Sequence, residues 1–196
     1  MKKILCFLFL IGFIFSAKSC YAATETDIAT TKQEIMVLYN TNRIKEAYQM
    51  ISNIPEGQRD SEIWLLAANI TEDYGRDLDA MALLEKAISV DPTNYKAYYN
   101  LGNIQLKGNR YYSAIESYDK CLKIKKDFSY AWYNLGNVYL KLDNYQKAKS
   151  AFMRAISFNK TNADFYYNLA YAYKKTGNIK QAEKMLNIYN TLMEQK

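Results

Sequence analysis

Three features of the 196-residue sequence predict an all-α fold of stacked, antiparallel helix pairs. Key residues recur every 34 positions, which is the mark of a repeat architecture. Within each period the apolar residues fall at helical spacing. Pro and Gly, at two and seven copies, are too few for a turn-rich β protein.

The period is carried by several positions at once. Ala80, Ala114, Ala148 and Ala182 are each 34 apart, as are Trp64, Tyr98, Trp132 and Tyr166. Leu101, Leu135 and Leu169 keep the same step, and so do Leu84, Tyr118, Phe152 and Leu186. In residues 129–142, Trp132, Leu135, Gly136 and Tyr139 lie at i, i+3, i+4 and i+7, one face of a helix. In 145–158, Tyr145, Ala148, Phe152, Ala155 and Ile156 do the same. Lys141-Leu142-Asp143-Asn144 between them is a short turn, so the two helices are antiparallel. Small residues at 102, 136 and 170 on one helix and at 114, 148 and 182 on the other let the backbones approach. Asp91-Pro92-Thr93-Asn94 separates one pair from the next, since the residue before Pro is biased away from helix.

These residues closely resemble the tetratricopeptide repeat, with its Trp-x2-Leu-Gly-x2-Tyr run followed by Ala, an aromatic, Ala and Pro. Residues 61–94, 95–128, 129–162 and 163–196 read as four units in unbroken register, the third fitting best. The N-terminal segment 23–60 contains a degenerate unit over roughly 28–60, where Arg43-Ile44-Lys45-Glu46-Ala47 parallels Asn144-Tyr145-Gln146-Lys147-Ala148 one residue out of step. Ala68 and Ala170 depart from the Gly position, and Lys126 and Lys160 from the Pro position. The resemblance implies a right-handed solenoid of about five helix pairs whose first helices line a concave groove.

Placed on that groove, Tyr99, Tyr133 and Tyr167 form one ladder and Asn100, Asn134 and Asn168 another. Asn69, Asn103 and Asn137 form a third, which Tyr171 continues. An Asn amide offers a donor and an acceptor together, and Tyr offers rigid amphipathic area, so the lining suits an extended peptide. The Asn ladder is similar to that of the superhelical repeat domain of O-linked N-acetylglucosamine transferases, which holds substrate backbones. The competing reading gives these Asn a role in spacing the helices, and the sequence leaves both open. Charge along the groove is graded, from Glu62, Glu72 and Asp73 to Lys107, Lys141, Lys174 and Lys175. A carboxylate clamp of the kind that binds chaperone tails is incomplete: Lys96 and Asn103 fit it, but Tyr or Leu stands where a further Lys is needed.

The first 22 residues read separately. Lys2 and Lys3 precede an apolar run from Ile4 to Phe15 and then small residues, the layout of a secretory signal peptide. Cleavage is expected after Ala22; lipidation of Cys20 is the alternative, with Lys18 spoiling the lipobox. The expected destination is the periplasm or outside the cell. Removing this leader leaves 23 Lys and Arg against 20 acids, a net charge of +3, too mild to predict nucleic-acid binding. It also leaves Cys121 alone, so no internal disulfide is expected.

The sequence has no His, no phosphate-binding Gly loop and no paired carboxylates in a predicted pocket, so neither catalysis nor a metal or cofactor is expected. The leading expectation is an exported adaptor that binds a protein or peptide segment in its concave groove, in the assembly of an envelope or secretion complex. The alternative is a self-associating module using the last predicted helix, about 179–194, whose Met185, Leu186, Ile188, Tyr189, Leu192 and Met193 exceed what one partner helix covers. A binder of anionic glycan, lipid or nucleic acid rests only on Lys123, Lys125 and Lys126.

Overall fold

The computed structural model describes residues 28–195, and the leader read from residues 1–22 lies outside them. The chain divides into two compact units at Arg59 and Asp60. In the first, residues 28–40 are helical (α1), and a turn with Asn42 at φ 61° leads to α2, Ile44–Asn53. Ile35, Ala47 and Ile51 are buried, and a 3-10 turn, Glu56–Gln58, follows.

The second unit holds eight helices. They are α3 (Ser61–Asp73), α4 (Asp77–Val90), α5 (Tyr95–Lys107), α6 (Tyr111–Ile124), α7 (Ser129–Lys141), α8 (Tyr145–Phe158), α9 (Ala163–Lys175) and α10 (Ile179–Glu194). No strand occurs among the described residues, and none of their helices is long and apolar enough to cross a membrane. The fold is all-α, in hairpin pairs α3–α4, α5–α6, α7–α8 and α9–α10.

The hairpin turns obey the same period. Gly75, Asn109, Asp143 and Gly177, 34 apart, all take the left-handed conformation, with φ of 73°, 57°, 53° and 76°. The next amide reaches back over the helix end: Arg76 to Thr71 O, Arg110 to Gln105 O, Asn144 to Tyr139 O and Asn178 to Tyr173 O, at 2.8–3.1 Å. These bonds satisfy carbonyls that the helix leaves open. Left-handed geometry costs an ordinary L-residue about 1–2 kcal/mol, and Asn and Asp bear it best after Gly.

The links between pairs use side-chain oxygens instead. Asp91 Oδ1 accepts from the Thr93 amide and hydroxyl, and Asn94 caps α5 by accepting from the Ala97 amide. Asn159, Thr161 and Asn162 repeat that arrangement before α9. Each cap contributes about 1 kcal/mol and fixes where the next helix starts.

Within a pair, a large second-helix side chain is pressed against the first-helix backbone. A Cβ on Gly102 would stand 2.6 Å from the Tyr118 ring, and one on Gly136 2.5 Å from the Phe152 ring. Tyr118 and Phe152 are fully buried. Where the corresponding second-helix residue is the fully buried Leu84, the first helix carries Ala68. That departure from Gly is matched to a smaller partner, whereas Ala170 belongs to the last pair, where Leu186 is exposed.

Successive pairs stack through α4 on α5, α6 on α7 and α8 on α9. First helices also touch one another, α3 with α5, α5 with α7 and α7 with α9, whereas no such contact joins α4 to α6 or α6 to α8. The second unit is therefore tight along its first helices and open along its second.

Two outcomes are expected from this packing. Gly136→Ala should lower stability by about 1–3 kcal/mol by overpacking, and adding Phe152→Leu should recover much of it. A double-mutant cycle by urea denaturation measures the coupling, expected to exceed about 1 kcal/mol. Burial pushes the Cys121 thiol up to about 12, so very little thiolate forms at pH 8. Iodoacetamide should leave the Cys121 peptide unmodified in native protein and alkylate it in urea, as read by mass spectrometry.

Candidate binding surface on the first helices

The residues of the expected groove lie on α3, α5, α7 and α9, the run of first helices that touch one another. The spacing of 34 brings equivalent positions side by side on this face. What each side chain does there differs.

The Asn ladders meet across the seams between pairs. Asn100 Nδ2 donates to Asn69 Oδ1 at 2.6 Å, Asn134 Nδ2 to Asn103 Oδ1 at 2.8 Å and Asn168 Nδ2 to Asn137 Oδ1 at 2.8 Å. Each partner is 31 residues away, one period less one helical turn. The same amides reach the preceding Tyr: Asn134 Nδ2 to Tyr99 OH at 3.2 Å and Asn168 Nδ2 to Tyr133 OH at 3.0 Å. Tyr118 OH, from the second helix, donates to Asn103 Oδ1 at 2.8 Å and ties the seam to the pair core. The helix-spacing role thus belongs to these residues physically.

Tyr99 and Tyr133 are wedges rather than open platforms. Tyr99 packs edge-on against Phe128 at 4.9 Å between ring centroids, and Tyr133 stacks on Phe165 at the same distance. Phe128 and Phe165 do not occupy equivalent positions, so one wedge is braced by two different solutions. Burial raises both phenols above their ordinary pKa. Tyr167, the last of the ladder, is 52% exposed and leans on Tyr189, and Tyr171 is 44% exposed beneath the Lys175 ammonium.

Lys107 is paired: its Nζ lies 2.8 Å from Asp77 Oδ1 at the start of α4. The carboxylate holds the Lys107 ammonium above its usual range, and burial raises Glu72 nearby. Lys141 is exposed. The sequence reading missed Asp77 as the anchor of Lys107, although a spacing of 30 places it one turn from the period. Among the described residues no group of His, Cys, Asp and Glu is arranged to hold a metal.

Comparisons with known proteins agree with this fold. A family profile described as "Tetratricopeptide repeat" matches residues 129–162, another so described matches 83–116 and 151–184, and one described as "TPR repeat" matches 102–143. The chain carries tetratricopeptide repeats. Curated protein sequences yield no match. Among solved structures, one described as "Crystal structure of MamA" is 23% identical at a TM-score of 0.74, covering 81% of this chain and 93% of its own. "MamA 41-end from Desulfovibrio magneticus RS-1" is 16% identical at 0.75, covering 85% and 94%. At such identities the likeness establishes the fold. Proteins of this repeat are scaffolds for protein–protein interaction.

The seam bonds predict a stability effect. Asn134→Ala removes two of them and should lower stability by about 1 kcal/mol per bond. Tyr167→Ala, on an exposed ring, should change it by under about 0.5 kcal/mol. Thermal unfolding of the two variants checks both.

Proposed function

We propose that the chain is an exported adaptor that holds an extended polypeptide segment along its first-helix face. The observation that carries this is the continuous row of Asn and Tyr on touching first helices. In the seam bonds each ladder amide uses one end, and the other ends, such as Asn69 Nδ2 and Asn168 Oδ1, suit the carbonyls and amides of a peptide backbone. Tyr167, Tyr171 and Lys141 are exposed members that close on the ligand. Export rests on the Lys2 to Ala22 leader, and on that footing the partner is a component of an envelope or secretion complex. No catalytic step is assigned.

A second reading, self-association, draws on α10. Only Ala182 of that helix is buried, while Ile179, Leu186 and Met193 are exposed. Ligand capture and mass separate the two.

Affinity capture from envelope extract should compare the parent with Tyr167→Ala/Tyr171→Ala, a pair outside the seams. Loss of a specific partner at equal helicity is expected. Unchanged capture would remove the first-helix face as the working surface. A mass that grows with concentration and falls on Leu186→Ser would favour α10.

A further inference from the structure

The open side of the array, away from the first-helix face, holds a feature the repeat pattern does not require. Between α6 and α8, over the back of α7, lie two adjoining clefts of about 400 and 430 Å3 that share Asp119, Trp132 and Arg154. Their floor is apolar: Trp132 with Leu135 and Tyr139 in one, with Leu122 and Phe158 in the other. Trp132 Nε1 donates to Lys126 O at 2.9 Å, which satisfies the indole's one polar atom and leaves its carbon surface to line both clefts. Phe158 is 44% exposed beside it.

The rim is basic. Lys123 and Lys126 stand on one side, Lys147 and Arg154 on the other, against the single carboxylate of Asp119. None of Lys123, Lys126 and Arg154 is ion-paired among the described residues. Earlier pairs use the equivalent positions differently: Lys86 lies over Trp64 at 4.5 Å and Lys120 over Tyr98 at 5.7 Å, each cation closing on its own ring. In the third pair the ring and Arg154 line an open cleft, and Lys123 stands where the neighbouring periods have Ser89 and Ser157. The surrounding field has the same sign. Residues 95–162 hold 12 Lys and Arg against four acids, while 61–94 hold two against seven.

We propose that the Trp132 cleft is a second docking site, for an acidic peptide segment that carries one aromatic or large aliphatic side chain. The side chain covers Trp132 and Phe158, and flanking carboxylates meet Lys123, Lys126 and Arg154. A phosphate backbone would touch the cations and leave the apolar floor wet, and Asp119 at the rim opposes dense negative charge. An uncharged apolar ligand would cover the floor and leave the cations unanswered. Charge and burial together select the acidic–apolar segment. A second copy of the chain offers one such segment at residues 72–79, where exposed Tyr74 and Leu78 sit among Glu72, Asp73, Asp77 and Asp79, so the test separates the two occupants.

The two Trp make the measurement direct. Trp64→Tyr, a residue that Tyr98 and Tyr166 already place at that position, leaves Trp132 as the only indole. Its emission is titrated with a short acidic peptide carrying one central Phe. A saturable change is expected, weakened about tenfold by Arg154→Glu, reduced by salt and unaffected by Tyr167→Ala/Tyr171→Ala. Asp119→Asn should tighten binding several-fold, a gain that misfolding does not produce. The proposal is overturned if no saturable change occurs, if Arg154→Glu is without effect, or if an Ala-centred peptide or polyphosphate binds equally well. It is also overturned in favour of a second copy if sedimentation shows a dimer that Arg154→Glu dissolves.

Discussion

The first three pairs of the second unit are set by how closely a first-helix backbone approaches the largest fully buried side chain of the second helix. Where that side chain is Tyr118 or Phe152, the missing Cβ of Gly102 or Gly136 admits it. Where it is Leu84, Ala68 suffices. A fully buried ring contributes roughly 1.5–3 kcal/mol by transfer alone, but only if the facing helix leaves room. The short turns depend on the same contact, because helices held this close are joined by three residues with a left-handed one among them. The stacking of one pair on the next inherits its spacing from it.

That spacing explains why one side of the array differs from the other. First helices touch, so their Asn and Tyr are close enough to bond across each seam, and the polar row is part of the stability of the stack. Second helices stand apart, and the gap between α6 and α8 becomes a cleft whose floor is the back of α7. A surface and a seam thus arise from one stacking arrangement.

The period of 34, the helix pairs and the turn at Asp143 were legible because each follows from local spacing: helical periodicity, small residues at contact points and turn-forming residues between them. The candidate surface was legible only as an address. The sequence placed Tyr99, Asn100, Asn134 and their equivalents on one face. It did not reveal that Asn134 spends its amide on Asn103 and Tyr99, or that Phe128 and Phe165 brace Tyr99 and Tyr133 from inequivalent positions. Lys107 looked like a free groove cation and is held by Asp77.

The sequence by itself determined the architecture, since a repeat states the same local instruction several times and each copy corrects the reading of the others. Only the tertiary structure decided which polar groups are spent on the seams and which stay open. Those assignments depend on side chains some 30 residues apart meeting within about 3 Å. Such a meeting is set by the rise and rotation from one pair to the next, a quantity that no single period contains.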